Sequence, residues 1–331
     1  MCEQINEPKL QINVLPAAHG DCIHLRFYSV DNESTEPDAY RWYNIVIDSG
    51  PGTFSGGFSR LMNSIAKKEE RVDLLCFTHM DNDHMLGARH YLGTNTKITK
   101  IERIWLNVPP KEVQISKPLK PSNVRRTDAR RTFELYRYIL WHKIPCDTEI
   151  KEGETLCFGD VMVQVLLPDE DLLKKYFEEW DTQITSKRRS AKGPDNNPAN
   201  GGSIVFIVWA EGKKLLFTGD AFAKNLTHVA TQWAGDGFDF VKLPHHGSNA
   251  NISDDMLNAM KCKCFAISAN GSSGRPAQET VDLLGDYGSK NGGVKLFGNH
   301  SLRSWGIKRR AGVEIRTPME KPFGIPDDLT P

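Results

Sequence analysis

Short runs of apolar residues alternate with amphipathic segments along most of the chain. The runs are rich in Val, Ile, Phe and Trp, which is typical of strands. Strands are predicted at 11–15, 22–28, 43–47, 74–77, 101–106, 155–158, 161–167, 203–209, 214–217, 240–243, 264–268 and 313–316. Helices are predicted at 59–68, 84–91, 129–143, 170–180, 224–233, 254–260 and 277–287. Because the two kinds of element alternate, the pattern predicts an α/β protein whose sheets are covered by helices.

Two segments, 107–128 and 181–202, interrupt this pattern and are predicted to be loops. Both are basic: 107–131 contains seven Lys or Arg against two acidic residues, and Lys187, Arg188 and Arg189 are consecutive. A charge run of this kind is either a solvated insertion or a contact for a polyanionic ligand, and the sequence leaves both interpretations open.

Composition narrows the class of protein. The chain has 331 residues with 42 Lys plus Arg against 42 Asp plus Glu, so bulk positive charge does not predict a protein that coats nucleic acid. The longest apolar run, 204–210, is far shorter than the roughly 20 residues of a membrane-spanning helix. The acidic, polar start does not resemble a secretory leader, and the seven scattered cysteines suit reduced thiols. We therefore expect a cytoplasmic location and no membrane partner.

The segment Thr78-His79-Met80-Asp81-Asn82-Asp83-His84 is the strongest chemical signal in the chain. It follows an apolar run directly and places four ligand-type side chains within six positions. Side chains at positions 79 and 81 point the same way in an extended turn, and a carboxylate at position 83 suits the start of a helix. Imidazole and carboxylate groups that converge in this way are typical of a divalent-metal site.

Three other predicted strands also end in ligand-type residues. Asp48 follows Ile45-Val46-Ile47, Asp220 follows Thr218-Gly219, and the pair His245-His246 follows Leu243-Pro244. If these strand ends open on one rim, their side chains converge with the histidine–aspartate segment. Adjacent residues of an extended segment face opposite ways, so we expect His246 to bind metal and His245 to lie near the scissile bond. Asp21, between two strands, is expected to be a structural turn residue.

This ordered set resembles the metallo-β-lactamase fold superfamily, and within it the ComEC-type hydrolases related to the competence DNA-uptake protein. The pieces that carry the resemblance are His19-Gly20-Asp21-Cys22, Ile47-Asp48-Ser49-Gly50, the 79–84 segment, Asn200-Gly201-Gly202-Ser203, Thr218-Gly219-Asp220 and Pro244-His245-His246-Gly247-Ser248. The resemblance implies a four-layer αββα sandwich with metal ions at the sheet edges. We expect a single domain over 1–320, with the two basic insertions, followed by a C-terminal tail at 321–331.

The resemblance implies six metal ligands and several further site residues. The implied ligands are His79, Asp81, Asp83, His84, Asp220 and His246, with Asp220 bridging two ions. Asp81 stands where the family has a histidine, and no histidine lies between His142 and His228, where the family has another. The expected cofactor is one or two divalent ions, with zinc first and manganese or magnesium as alternatives. Asp83, His245 and Asp48 are expected to act in catalysis.

The expected substrate contacts are Asn200, Ser203, Ser248, Arg275 and His300. Arg275 suits a forked contact with phosphate. Three functions follow from this reading. The first is a metal-dependent phosphodiesterase or nuclease that acts through a metal-activated water, with nucleic acid or another phosphodiester as its partner. The second is a hydrolase of a carboxylic ester, lactone or phosphocholine-type ester, and the third is a non-catalytic binding protein with a degenerate first metal site.

Overall fold

The computed structural model of the protein describes residues 9–109, 127–186 and 197–317 and the backbone of 323–325. Along the chain the strands are β1 (Leu10–Val14), β2 (Ile23–Val30), β3 (Tyr40–Ile47), β4 (Leu74–Phe77), β5 (Ile104–Leu106), β6 (Cys146–Asp147), β7 (Thr155–Phe158), β8 (Val161–Leu167), β9 (Val205–Ala210), β10 (Lys213–Phe217), β11 (Phe240–Lys242), β12 (Cys264–Ile267), β13 (Val294–Gly298), β14 (Val313–Arg316) and β15 (Phe323–Ile325). The helices are α1 (Ser55–Lys67), α2 (Asn82–Thr94), α3 (Asp128–Trp141), α4 (Glu170–Ser186), α5 (Pro198–Gly201), α6 (Ala223–Trp233), α7 (Asp254–Met260), α8 (Gln278–Asn291) and α9 (Leu302–Trp305).

The strands form two mixed sheets. The first has the order β15-β1-β2-β3-β4-β5-β6, and the second has the order β14-β13-β12-β11-β10-β9-β8-β7. In each sheet antiparallel neighbours give way to parallel ones: β3 to β6 are parallel in the first sheet, and β10 to β14 in the second. Because parallel strands leave their carboxyl ends at one edge, each sheet presents a row of loops there.

Apolar side chains fill three layers, one between the sheets and one on the outer face of each. Ile45 and Ile47 of β3 point between the sheets, whereas Val46 packs outward with residues of α1, α2 and α3. In β9, Phe206 and Val208 lie in the layer between the sheets, and Val205 and Ile207 pack with residues of α6, α7 and α8. The strands are apolar on both faces because both faces are covered. The predicted four-layer αββα sandwich is confirmed.

Some boundaries predicted from the sequence are wrong. The segment 181–202 was expected to be a loop, but α4 continues to Ser186 and α5 occupies 198–201. Strand β13 was not predicted. Phe323–Ile325, expected in the tail, pairs with β1 as an edge strand instead. The basic stretches 110–126 and 187–196 lie outside the described residues. The single-domain boundary stays a prediction.

Candidate metal centre

The loop between β4 and α2 carries the histidine–aspartate segment (residues 78–84). His79 and His84 are buried, and Asp83 lies in the first turn of α2, where the helix N-terminus favours a carboxylate. Helix α2 lies directly on the loop that follows β3: a Cβ atom added at Gly87 would lie 2.0 Å from the carbonyl oxygen of Ser49. Only glycine permits this approach, which brings the two loops together.

Asp220, which follows β10, is the point on which four imidazoles converge. Its Oδ1 atom lies 3.5 Å from Nε2 of His84. The Nε2 atoms of the other three histidines surround its Oδ2 atom, at 3.6 Å for His245 and 3.8 Å for both His79 and His246. Asp83 extends the cluster, because its Oδ2 atom lies 3.5 Å from Nε2 of His246. Residues far apart in the chain therefore meet where the two sheets present their parallel strand ends.

The other ring nitrogen, Nδ1, is held by a different group in each histidine. Nδ1 of His84 lies 2.8 Å from Oδ2 of Asp48, and Nδ1 of His246 lies 3.0 Å from the carbonyl oxygen of Ser268. The corresponding atom of His245 lies 2.7 Å from Oδ1 of Asn251, and that of His79 lies 3.1 Å from the Thr78 hydroxyl.

All four of these Nδ1 partners act as acceptors. Three of them are carbonyl or carboxylate oxygens, and the fourth, the Thr78 hydroxyl, gives its own proton to Asp48. Each Nδ1 atom is therefore the donor. A neutral imidazole that donates from Nδ1 presents a lone pair on Nε2, which is the form that binds metal ions.

Several atoms that face the centre are buried and have no hydrogen-bond partner in the described part of the chain. They are Nε2 of His79, His84 and His246 and Oδ1 of Asp220. Buried polar atoms without partners are costly, and here nitrogen and oxygen donors of the kind that zinc prefers are turned toward each other. The residues therefore fit a divalent cation, which would satisfy these atoms together.

Burial and neighbouring charges shift the pKa values of the side chains in the cluster. Burial opposes a charge on His84, but Asp220 and Asp48 outweigh it and raise the pKa of His84 well above its ordinary value. Burial alone would raise the pKa of Asp220, yet His245 and His84 hold it well below its ordinary value. Burial lowers the pKa of His79 to about 3. Protons and cations thus compete for the same positions between these side chains.

A buried ion pair that the sequence did not predict lies behind the centre. Lys242 of β11 is 1% exposed, and its ammonium lies 2.7 Å from Oδ2 of Asp21. Oδ1 of Asp21 lies 3.3 Å from Nδ1 of His246. Asp21 is therefore more than a turn residue, because it joins the first sheet to the second behind a metal-type histidine. The sequence feature that could have indicated this pair is a lysine in an otherwise apolar strand, because a lysine buried there needs a partner of opposite charge.

A cavity of about 140 Å³ opens beside the centre. Asp83 and His246 line it together with Arg275, His19, Ser272 and Ser273. Asp83 is the more exposed of the two predicted ligands that line it, with 24% of its side chain exposed. The cavity thus brings a guanidinium group and two of the predicted metal ligands to the same small space, which has room for an anionic group.

A model of the metallo-β-lactamase superfamily matches residues 43–269 of the chain. The chain belongs to this superfamily. It is 24% identical over 221 residues to "ComE operon protein 3" of Bacillus subtilis (strain 168), which covers 66% of this chain and 23% of that protein.

Several solved structures are similar to the chain at low identity. The diiron β-hydroxylase CmlA of Streptomyces venezuelae has 14% identity and a TM-score of 0.45, over 89% of this chain and 53% of that one. A diphosphatase from the PhnP family has 11% identity and a TM-score of 0.41, over 89% of this chain and 81% of that one. A metallo-β-lactamase of Cronobacter sakazakii has 14% identity and a TM-score of 0.37, over 77% of this chain and 91% of that one.

The His245-His246 pair differs from the expectation for an extended segment. Both residues have left-handed backbone conformations, with φ of 49° and 58°. Both imidazoles therefore face Asp220, and the expectation that they point opposite ways is wrong. His246 lies with Asp83 and His84 in a compact group, whereas His245 belongs to no such group and lies 3.6 Å from Asp220.

The remaining predicted residues divide into those behind the centre and those at its edge. Asp48 is fully buried behind His84. Ser203 is also fully buried, and its hydroxyl accepts the backbone N–H of Asp220 at 3.1 Å. The buried Asn200 accepts a bond from Asn197. These contacts favour positioning roles for Ser203 and Asn200, because neither side chain is open to a substrate.

Two other predicted substrate contacts lie outside the small cavity. The backbone N–H of Ser248 donates to the carbonyl oxygen of His245, so this residue closes the turn of the histidine pair. His300 follows β13 and is partly buried, and burial lowers its pKa. Neither residue lines the cavity. Their roles in substrate binding stay predictions.

Proposed function

We propose that the protein is a metal-dependent hydrolase of phosphodiester bonds, similar in type to the ComEC-like hydrolases, with nucleic acid as its substrate class. The observation that carries the proposal is the cavity shared by Asp83, His246 and Arg275. A phosphodiester places its negative oxygens where a cation and a guanidinium group can both reach them. Zinc suits the histidine-rich donor set, and manganese or magnesium would suit its carboxylates.

The chain's own residues would prepare such a reaction in three ways. Asp83, His84, His246 and Asp220 would hold the cation, and Asp48 would keep His84 in its metal-binding tautomer. Arg275 would hold and orient the phosphate group beside them. When bound, a divalent cation supplies Lewis-acid chemistry: it lowers the pKa of a coordinated water and offsets charge that develops on phosphate oxygens.

The described residues that border the basic stretches in the sequence support a polyanionic substrate. Thr127 and Arg130, which follow the stretch 110–126, bond to the backbone of Gln183 and Ile184, just before the stretch 187–196. In the same helix, Thr132 donates to the carbonyl oxygen of Met80 in the histidine–aspartate loop. The described start of α3 and end of α4 therefore contact each other, and α3 also contacts the loop of the metal centre.

Metal-dependent cleavage of phosphodiesters tests the proposal directly. We expect single-stranded DNA, RNA or a chromogenic phosphodiester to be cleaved after addition of zinc, manganese or magnesium, and chelator to stop the reaction. Arg275→Lys should cleave at least about tenfold more slowly, because a forked contact cannot be made by an ammonium group. Arg309→Lys, at an exposed position, is the matched control. No cleavage with any of the three metals would refute the proposal.

A salt titration separates this function from the hydrolysis of a neutral ester or lactone. Binding of a polyanion weakens steeply as the salt concentration rises, whereas binding of a neutral ester hardly changes. Turnover of neutral esters alone would favour the second function. A protein that retains no metal would favour a non-catalytic binding role.

We also propose that the protein works in the cytoplasm. The six cysteines within the described residues are free thiols, which a reducing compartment preserves. None of the helices in the described part of the chain combines the length and apolar character needed to cross a membrane. Localisation of a tagged full-length chain by cell fractionation would test the proposal.

A further inference from the structure

The donor atoms of the centre are not evenly arranged. Within the described residues, three sets of side chains bring their donor atoms within 4.8 Å of one another: His79-His84-Asp220, Asp83-His84-His246 and Asp21-Asp48-His84. His84 belongs to all three sets. Asp81 and His245 belong to none, although each lies near one member of the cluster.

Asp83, His84 and His246 form one compact set, and Asp220 lies beside two of its members. Asp83 and His246 approach to 3.5 Å, His84 and Asp220 approach to 3.5 Å, and His246 lies 3.8 Å from Asp220. Two donors bound to one ion at about 2.1 Å lie at most about 4.2 Å apart, so these pairs need little movement to share an ion. Both imidazoles are fixed from behind, by Asp48 and by the carbonyl oxygen of Ser268.

The donors around His79 are fewer. Its Nε2 atom lies 3.9 Å from Asp81 and 3.8 Å from Asp220, and the compact set to which it belongs depends on His84, which the other position also uses. The Asp81 side chain is partly exposed. Asn200 stands where the resemblance implies a histidine, and its Oδ1 atom is engaged by Asn197. A cation beside His79 would therefore have a poorer set of protein ligands.

We propose that the centre binds two divalent ions unequally: one tightly, through Asp83, His84, His246 and Asp220, and one weakly, through His79, Asp81 and Asp220. The protein then carries a single ion when free metal is scarce. The weak position is rich in carboxylate oxygen, so it should accept manganese or magnesium more readily than the tight position does. The proposal depends on cation binding and not on the substrate, so absence of phosphodiester cleavage would leave it standing.

Equilibrium dialysis against buffered free zinc, with bound metal measured by mass spectrometry, tests this arrangement. We expect one equivalent to bind first and a second only at a free zinc concentration more than about tenfold higher. Loss of one residue that hydrogen-bonds a metal ligand already weakens metal binding by about tenfold or more. The His79 position has fewer ligands altogether, so its affinity should be lower by at least that factor. Binding of two equivalents in one step would overturn the proposal.

Variants assign each step to its residues. His79→Gln should keep the first equivalent and lose the second, whereas His84→Gln should lose the first. Asp81→His, which restores an imidazole, should move the second step toward the first. His228→Gln, which removes an exposed histidine of α6, is the matched control and should bind both ions as the unchanged protein does.

Folding and coordination are measured separately from metal content. Thermal unfolding in chelator shows whether each variant is folded. The visible absorption of cobalt bound in the tight position reports which residues are its ligands. If His79→Gln fails to fold, Asp81→Asn serves in its place, with loss of the second equivalent as the expected result. Loss of the first equivalent from a folded His79→Gln or Asp81→Asn protein, or an unchanged second step in Asp81→His, would contradict the proposed division of ligands.

Discussion

Replacing Lys242 by methionine should expose how strongly the fold depends on the buried ion pair behind the metal centre. Lys242 and Asp21 are 1% and 2% exposed, and their charged atoms are 2.7 Å apart. Lys242 also donates to the carbonyl oxygen of Leu243 at 3.0 Å. Methionine keeps most of the apolar volume but leaves the Asp21 carboxylate buried without its cation.

The expected cost follows from that loss of charge compensation. Removing one partner of a buried ion pair costs about 3 to 5 kcal/mol, because the remaining charge is left in a medium that solvates it poorly. The cost should fall when the remaining charge is also removed. The double variant Lys242→Met, Asp21→Asn should therefore be less destabilised than the sum of the two single variants, by at least about 1 kcal/mol.

Urea unfolding, followed by tryptophan fluorescence in chelator, measures these free energies without a contribution from bound metal. The matched control is Lys263→Met. It removes an exposed lysine that directly precedes β12, the strand next to β11, and should cost less than about 0.5 kcal/mol. If Lys242→Met cost less than about 1 kcal/mol, or if the double variant were additive, the buried pair would not be the stabilising contact that the geometry indicates.

Three other perturbations test separate parts of the structure. Asp48→Asn should weaken zinc binding by about 10- to 100-fold in competition with a chromophoric chelator, because the charged partner of His84 is lost. Gly87→Ala should lower the melting temperature, since its Cβ would lie 2.0 Å from a backbone oxygen; an unchanged temperature would contradict this contact. Burial lowers the pKa of His24 to about 4, below its unfolded value of 6.5, so its contribution to stability is complete above pH 6.5 and is lost as the pH falls toward 4. His24→Gln in chelator should reduce the loss of stability between pH 7 and pH 4 by at most about 3 kcal/mol, and an identical loss in both proteins would refute the assignment.

Apolar patterning was sufficient for the interior of the sandwich. The runs at 74–77 and 161–167 have the same bounds as β4 and β8, because strands covered on both faces leave an uninterrupted apolar signal. Strand β13 has only a few apolar residues between glycines and was missed, as was the two-residue β6. A two-residue element such as β6 exists because the neighbouring strand offers hydrogen bonds, which the local sequence does not record.

Tertiary contacts explain why the end of α4 was not predicted. Its last turns contain Thr182 and Thr185, residues that favour loops when considered alone. In the structure the buried Gln183 side chain accepts the backbone N–H of Ala129, and the carbonyl oxygen of Ile184 accepts a bond from Arg130. These contacts with α3 extend the helix beyond the point at which its own sequence predicts an end.

The candidate site was readable from the sequence in its ligand types but not in its orientations. Strand ends bearing Asp and His indicated which residues would meet, and the structure brings those side chains together around Asp220. The left-handed backbone at His245 and His246 leaves no pattern of apolar and polar residues in the sequence. The direction in which the two imidazoles point could therefore not be predicted. The Asp21–Lys242 pair spans 221 positions of the chain, and only the packing of one sheet on the other brings it together.

Fixed outer contacts account for the geometry of the centre before any cation binds. Each Nδ1 atom is held by a residue from a different part of the fold: Thr78 after β4, Asp48 after β3, Asn251 before α7 and Ser268 after β12. The Nε2 atoms are thereby turned inward even though their mutual approach leaves buried lone pairs unsatisfied. Packing of the sandwich offsets that cost, and a cation that enters the centre does not have to order the imidazoles itself. Binding energy that would otherwise be spent on ordering is then available for affinity, and this favours the compact set of Asp83, His84 and His246, whose two imidazoles are both held in place.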